Sequence, residues 1–283
     1  MAARGGPDRY RRPMAPDVDL PERGAPVTAG SPKAPVTDQR LRRWNVGVGL
    51  AHLVQAIAIL ALGNAFAIPV VAFVQTGPPG TPLEVQRTFF DLRFSYAIAA
   101  FLLLAAVDHL ATAGPLRGRY EAGLARRINS FRWVEYSVSA SIMVILIAML
   151  PGITNFYAIL GLFAANAGMI FFGWCMERVN QDRDEVVWWP FTFGCVLGAV
   201  PWIAIVVAIV VSTTEGDGVP GFVYAIFVSL FLLFNCFAAN QWLQYRGRGR
   251  FTDYRYGERV YLVLSLVAKS ALAWQVYAGT LNS

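Results

Sequence analysis

Seven long apolar runs separated by short polar connections constrain this chain before any single residue does. A run of about 20 apolar residues crosses the hydrocarbon core of a bilayer as a helix, because a helix satisfies its own backbone hydrogen bonds there. The runs fall at residues 44–67, 94–113, 128–150, 155–175, 186–211, 219–243 and 260–281. Only 15% of the 283 residues are charged and mean hydropathy is +0.46, which excludes a soluble globular domain. The fold class predicted is an all-α membrane protein with seven transmembrane helices. Cys175, Cys195 and Cys236 fall inside these runs, so they read as small packing residues, not as disulfide partners or a metal set.

Residues 1–40 are rich in Pro, Gly, Ala and charge, and are expected to form a disordered tail ahead of a membrane domain spanning 41–283. The tail has no apolar stretch of the kind a signal peptide carries. No internal repeat, soluble-enzyme motif or nucleic-acid-binding module is visible, despite a net charge of +6. The chain therefore reads as a non-enzyme.

Arginine placement predicts orientation. All but three of the 24 Lys and Arg residues lie on one side: in the tail through Arg43, in 117–132, between the fourth and fifth runs, and in 246–259. Arg87 and Arg93 lie on the other side, and Lys269 lies within the last run. The positive-inside rule puts the N-terminus in the cytoplasm, the C-terminus outside, and the protein in the cell membrane as a multi-pass chain. Residues 67–75, followed by Thr-Gly-Pro-Pro-Gly, read as a short strand and a turn, half of an outer hairpin.

Lys269 is the costly residue. An amine near mid-span costs about 2.5–3.5 kcal/mol on insertion scales, and lysine, unlike arginine, can lose its proton and act as a nucleophile. Once caps and loops are set aside, the other ionisable groups within the runs are His52, Asp108, His109 and Glu135. Counted at about 1.5 Å per residue from the nearest inner arginine, both histidines lie ~12–14 Å in and Lys269 ~15 Å in. The polar groups thus gather in the arginine-side half. Ser265 lies four residues before Lys269, and Ser139 four after Glu135, so each shares a helix face with its charged neighbour. Glu135 is the best-placed carboxylate to balance the amine; Asp108 sits nearer a helix end, beside Gly114-Pro115.

Seven spans, a lysine midway along the last and a carboxylate in the third resemble a retinal-binding rhodopsin. Ordinary microbial rhodopsins have an outer N-terminus and an Asp four residues before the lysine. Here that position is Ser265, and the third span reads Arg-Trp-Val-Glu-Tyr-Ser over 132–137. With the inverted orientation, the two histidines and Ser-Leu-Val-Ala-Lys-Ser over 265–270, the chain resembles the heliorhodopsin family across roughly 41–283.

The resemblance implies a rhodopsin-like bundle with all-trans retinal bound covalently to Lys269 as a protonated Schiff base, and Glu135 as its sole counterion. It implies that Ser265 hydrogen-bonds in that region, with Ser139 one turn from the counterion. His52 and His109, with Gln55 one turn from His52, would line a polar proton-accepting cavity. Met143 and Asn166 would line the polyene, with Trp202 and Phe234 near the ring. A homodimer is expected on the same ground, in contact with membrane lipid.

The residues argue against a pump. Eleven residues beyond Glu135, where outward pumps carry a donor carboxylate, stands Leu146, and residues 143–150 are wholly apolar. The fourth to seventh runs offer no interior carboxylate, and the outer half offers no relay of titratable groups. The expected function is a light sensor that isomerises retinal and signals, without net ion transport, to an unidentified cytoplasmic partner. Two alternatives stand beside it: a light-driven proton or ion transporter, and a retinal-free seven-helix transporter or receptor using Lys269 and Glu135 as a substrate site. Plain packing remains the other reading of the histidines, serines and aromatic residues, as an ion pair does for Lys269.

Overall fold

The computed structural model describes residues 36–83 and 85–281; most of the expected tail, with Lys33, lies outside the described residues. Seven helices are long and apolar enough to cross a membrane. They are α1 (Asp38–Leu62), α2 (Phe94–Ala113), α4 (Ser130–Met149), α5 (Phe156–Val179), α6 (Trp189–Glu215), α7 (Gly221–Arg246) and α8 (Tyr254–Gly279). A short α3 (Arg117–Ala125), which hydropathy did not reveal, joins α2 to α4.

Capping chemistry moves the helix starts beyond the apolar runs. The Thr37 hydroxyl accepts from the Arg40 amide at 3.2 Å, so α1 begins at Asp38, and residues 36–40 belong to the fold, not to a tail. Asp253 caps α8 by accepting from the Arg255 amide at 2.9 Å, six residues ahead of the expected start. The two starts are tied together. Arg255 donates to both Asp38 oxygens, Nε to Oδ1 at 2.6 Å and Nη2 to Oδ2 at 3.0 Å. At the other end of the preceding helix, Gly247 takes φ +56° just past α7, where a left-handed residue closes the last turn.

The expected half-hairpin is a complete one. Strands β1 (Ala67–Val74) and β2 (Val85–Arg93) pair antiparallel, with Ala67 opposite Arg93 and a bulge after Val70 that leaves Phe89 extra. The hairpin docks on the α4–α5 connection. The Val71 amide donates to the Thr154 carbonyl at 3.0 Å, and Phe89 meets Phe156 edge-on at 5.2 Å.

Around the bundle, α1 packs on α2, α2 on α4, α4 on α5 and α5 on α6, while α8 packs on both α7 and α1. Between α6 and α7 the contact is made by side chains: Trp202 meets Phe227, Phe231 and Phe234 edge-on at 5.2–6.0 Å. The main core lies toward the hairpin end. Phe94, Phe101 and Leu102 of α2 pack there with Met143, Leu146 and Ile147 of α4 and Leu272 of α8. Outward faces of α6 and α7 carry Val196, Val200, Ile203, Val228 and Leu232, the apolar surface a lipid-facing helix needs. The protein is a multi-pass membrane protein.

Candidate functional site

Lys269 lies on α8 with 3% of its surface exposed. Its Nζ donates to Ser265 Oγ at 3.0 Å, one turn back on the same helix, and to Glu135 Oε2 at 3.3 Å. Glu135 Oε1 sits at the same distance without hydrogen-bond geometry. The ring of Tyr136 lies 4.8 Å from the ammonium, a cation–π contact of about 0.5–2 kcal/mol. Two buried charges taken out of water repay the desolvation cost only with close pairing and added hydrogen bonds. This pair has both.

The amine opens onto a cavity of about 590 Å³, within the roughly 300–1,000 Å³ of small-molecule sites. Of the expected pocket residues, Met143, Trp202, Phe234, Ser265 and Lys269 are on its wall, joined by Tyr136, which was not expected there. Gly173 helps shape it: a Cβ at that position would lie 2.5 Å from the Trp133 ring, which therefore packs directly on the α5 backbone. Asn166 is a correction. It does not line this cavity but donates to Ser141 Oγ at 3.0 Å, tying α5 to α4 behind the wall. Ser139 is fully buried and its hydroxyl has no hydrogen-bond partner among the described residues.

The two histidines meet. His52 of α1 and His109 of α2 stack with ring centroids 5.8 Å apart and planes 11° from parallel. His109 Nδ1 lies 2.9 Å from Asn45 Oδ1, whereas its Nε2 and both His52 nitrogens have no partner among the described residues. Gln55 is a second correction. Three residues past His52 falls about 60° short of a full turn, and its carbonyl accepts from Trp274 Nε1 of α8 at 3.0 Å. A second cavity, of about 10 Å³, is polar and lined by Asn45, Asp108, His109, Tyr120, Arg132 and Glu258 among others; His52 and Gln55 are not on its wall.

Sequence reasoning missed a buried ion cluster. Arg132, three residues before Glu135, turns away from it: Nη2 donates to Glu177 Oε1 of α5 at 2.6 Å, and Nη1 donates to Glu258 of α8. Trp133 Nε1 donates to Glu177 Oε2 at 2.6 Å, Tyr254 to Glu177 Oε1 at 2.9 Å, and Asn129 Nδ2 to Glu258 at 2.7 Å. The later runs were expected to hold no interior carboxylate. Glu177 and Glu258 lie just outside those runs but inside the longer helices, at most 3% exposed. Their positions at run edges carried the only available signal.

Fold and site together define a rhodopsin-type seven-helix membrane protein. Among solved structures, the chain resembles the transmembrane domain of rhodopsin phosphodiesterase from Salpingoeca rosetta, at 12% identity over 87% of this chain and 86% of that one, with a TM-score of 0.63. It also resembles cyanorhodopsin N4075R from the cyanobacterium Tolypothrix sp. NIES-4075, at 14% identity over 85% and 95%, with a TM-score of 0.52. At such identities the likeness speaks for the fold alone. Among curated proteins nothing matches the sequence. The heliorhodopsin family model matches residues 41–281, and the chain belongs to the heliorhodopsin family. Membership implies a photoreceptor of the retinal-binding kind.

Proposed function

We propose that this protein is a light sensor with all-trans retinal bound covalently through Lys269, and that it signals without net ion transport. One observation carries the reading: a buried lysine amine, held by Glu135 and Ser265, opens onto a large apolar cavity. The residues present fit the chromophore, with an amine to condense with its aldehyde, releasing water, and an aromatic wall for its apolar body. Bound there as a protonated Schiff base, retinal supplies light absorption and photoisomerisation.

The chain's own groups do the rest. Glu135 stabilises the positive charge on Nζ at rest, and Ser265 fixes its direction. His52 and His109 accept the proton released on illumination and return it. Arg132, Glu177, Glu258, His52 and His109 all lie on the arginine-rich side of Lys269, whereas the buried side chains toward the hairpin end are apolar or neutral. That distribution supports sensing over pumping, since a pump needs titratable groups on both sides. The arginine-rich end, with the N-terminus, faces the cytoplasm of a cell-membrane protein, where a signalling partner would bind. The chain acts as a homodimer and not as an enzyme.

Expression with all-trans retinal tests the reading. A visible band that light plus hydroxylamine bleaches is expected in the wild type and absent in Lys269→Ala. No band in the wild type would remove the chromophore. A protonophore-sensitive pH change in illuminated vesicles would replace the sensor by a transporter.

A further inference from the structure

We infer that Asn45 is a positioning residue: it holds His109 in the tautomer that carries its proton on Nδ1 and leaves Nε2 bare as the proton-accepting atom. The argument runs through donors and acceptors. Asn45 Nδ2 lies 3.0 Å from the Leu41 carbonyl oxygen, which can only accept. The NH₂ group must therefore face Leu41, since the opposite orientation of the amide would set two oxygens together. The same Nδ2 lies 3.4 Å from the Tyr120 hydroxyl. Burial, and then the Glu258 carboxylate, push that hydroxyl above the usual phenol range, so it stays a neutral phenol able to accept.

With Nδ2 so fixed, the atom 2.9 Å from His109 Nδ1 is the Asn45 carbonyl oxygen. An oxygen with no proton to offer requires that Nδ1 be the donor. In a neutral imidazole the other nitrogen then holds a lone pair. That nitrogen, Nε2, belongs to a residue 4% exposed and has no hydrogen-bond partner among the described residues. His52 does not claim it, because the rings stack face to face and neither His52 nitrogen has a partner there either. Asp108 Oδ2, at 4.0 Å from Nδ1, lies beyond hydrogen-bond reach and leaves Asn45 as the orienting group.

The chemistry is a reversible proton transfer. The proton leaves Lys269 Nζ and bonds to His109 Nε2, giving an imidazolium whose Nδ1–H remains bonded to Asn45 Oδ1. It returns to Nζ by the reverse transfer, so the balance closes without net transport. This assignment of the acceptor rests on the sensor reading; the tautomer does not.

The chain has only two histidines, so ¹⁵N solid-state NMR on histidine-labelled full-length protein in lipid reads the tautomers directly, with or without retinal. In the wild type, one histidine is expected to show protonated Nδ1 and unprotonated Nε2, and that signal should change in Asn45→Leu. In flash photolysis, Asn45→Leu should slow proton departure from Nζ about tenfold or more with the visible band in place, and Asn45→Asp, which keeps an acceptor, should restore the rate. Absence of a visible band in the wild type sinks the sensor reading and leaves the tautomer measurable in the apoprotein. Wild-type His109 protonated at Nε2 overturns the inference with or without a pigment, even where Asn45→Leu fails to fold. An Asn45→Leu spectrum or transfer rate matching the wild type overturns it as well.

Discussion

The two halves of the bundle follow different rules of packing. Toward the hairpin, α2, α4 and α8 meet through Phe94, Phe101, Leu102, Leu146, Ile147 and Leu272, which need only shape and volume. Toward the arginine-rich end, the same helices with α1 and α5 meet through Arg132, Glu177, Glu258, Asn129 and the histidine pair, where each group needs a partner of matching chemistry. Buried titratable acceptors line the second half, and the first half holds none among the described residues. On the proposed reading, the contrast teaches where a proton set free at Lys269 can go.

The sharpest way to break the contrast is to remove the cation at its centre. Arg132→Met leaves Glu177 and Glu258 buried together without compensation, at a cost of about 3–5 kcal/mol. Thermal denaturation in lipid or detergent should show a correspondingly lower midpoint. The visible band should stay where it is, since Arg132 does not touch Glu135. A band that moved with the Arg132 substitution would mean that the cluster and the lysine site are one unit.

Glu135→Gln acts on the other unit. On the proposed reading it removes the negative partner of the Nζ charge, so absorbance shifts to the red. A visible spectrum reads the shift. An unchanged spectrum would take the counterion role away from Glu135 and send the search to Asp108.

Much of this contrast is legible in the sequence, and the reasons are local. Lys269 with Ser265 is an i, i−4 pair on one helix face, and Glu135 is a carboxylate in another span, eight residues past Arg127 but only three past Arg132, so counting alone leaves its depth open. The histidines were placed at equal depth, which anticipates their contact though not their stacking. What escaped depends on distant pairing. Arg132, Glu177 and Glu258 each sit at the edge of an apolar run, where solvated charge is the ordinary expectation. Only the meeting of α4, α5 and α8 turns three edge residues into a buried cluster. Asn45 reads as one more polar residue near the start of α1 until α2 brings His109 to it. The second hairpin strand, with charged residues at Arg87 and Asp91, lacks the apolar regularity that marked the first.

Gln55 offers the finest test of where the polar half ends. Its place three residues past His52 suggests a share in the proton chemistry, yet its side chain bonds to Trp274, which is 38% exposed. Gln55→Leu removes two hydrogen bonds, one from Trp274 Nε1 and one to the Ala51 carbonyl, each of about 0.5–1.5 kcal/mol, and leaves the indole N–H near the surface, where other acceptors can reach it. A small loss of thermal stability is expected, with the same band position and the same proton-transfer rates by flash photolysis. Slower transfer in that variant would extend the polar half across α1 to the α8 surface, and the boundary would then follow helix contacts and not burial.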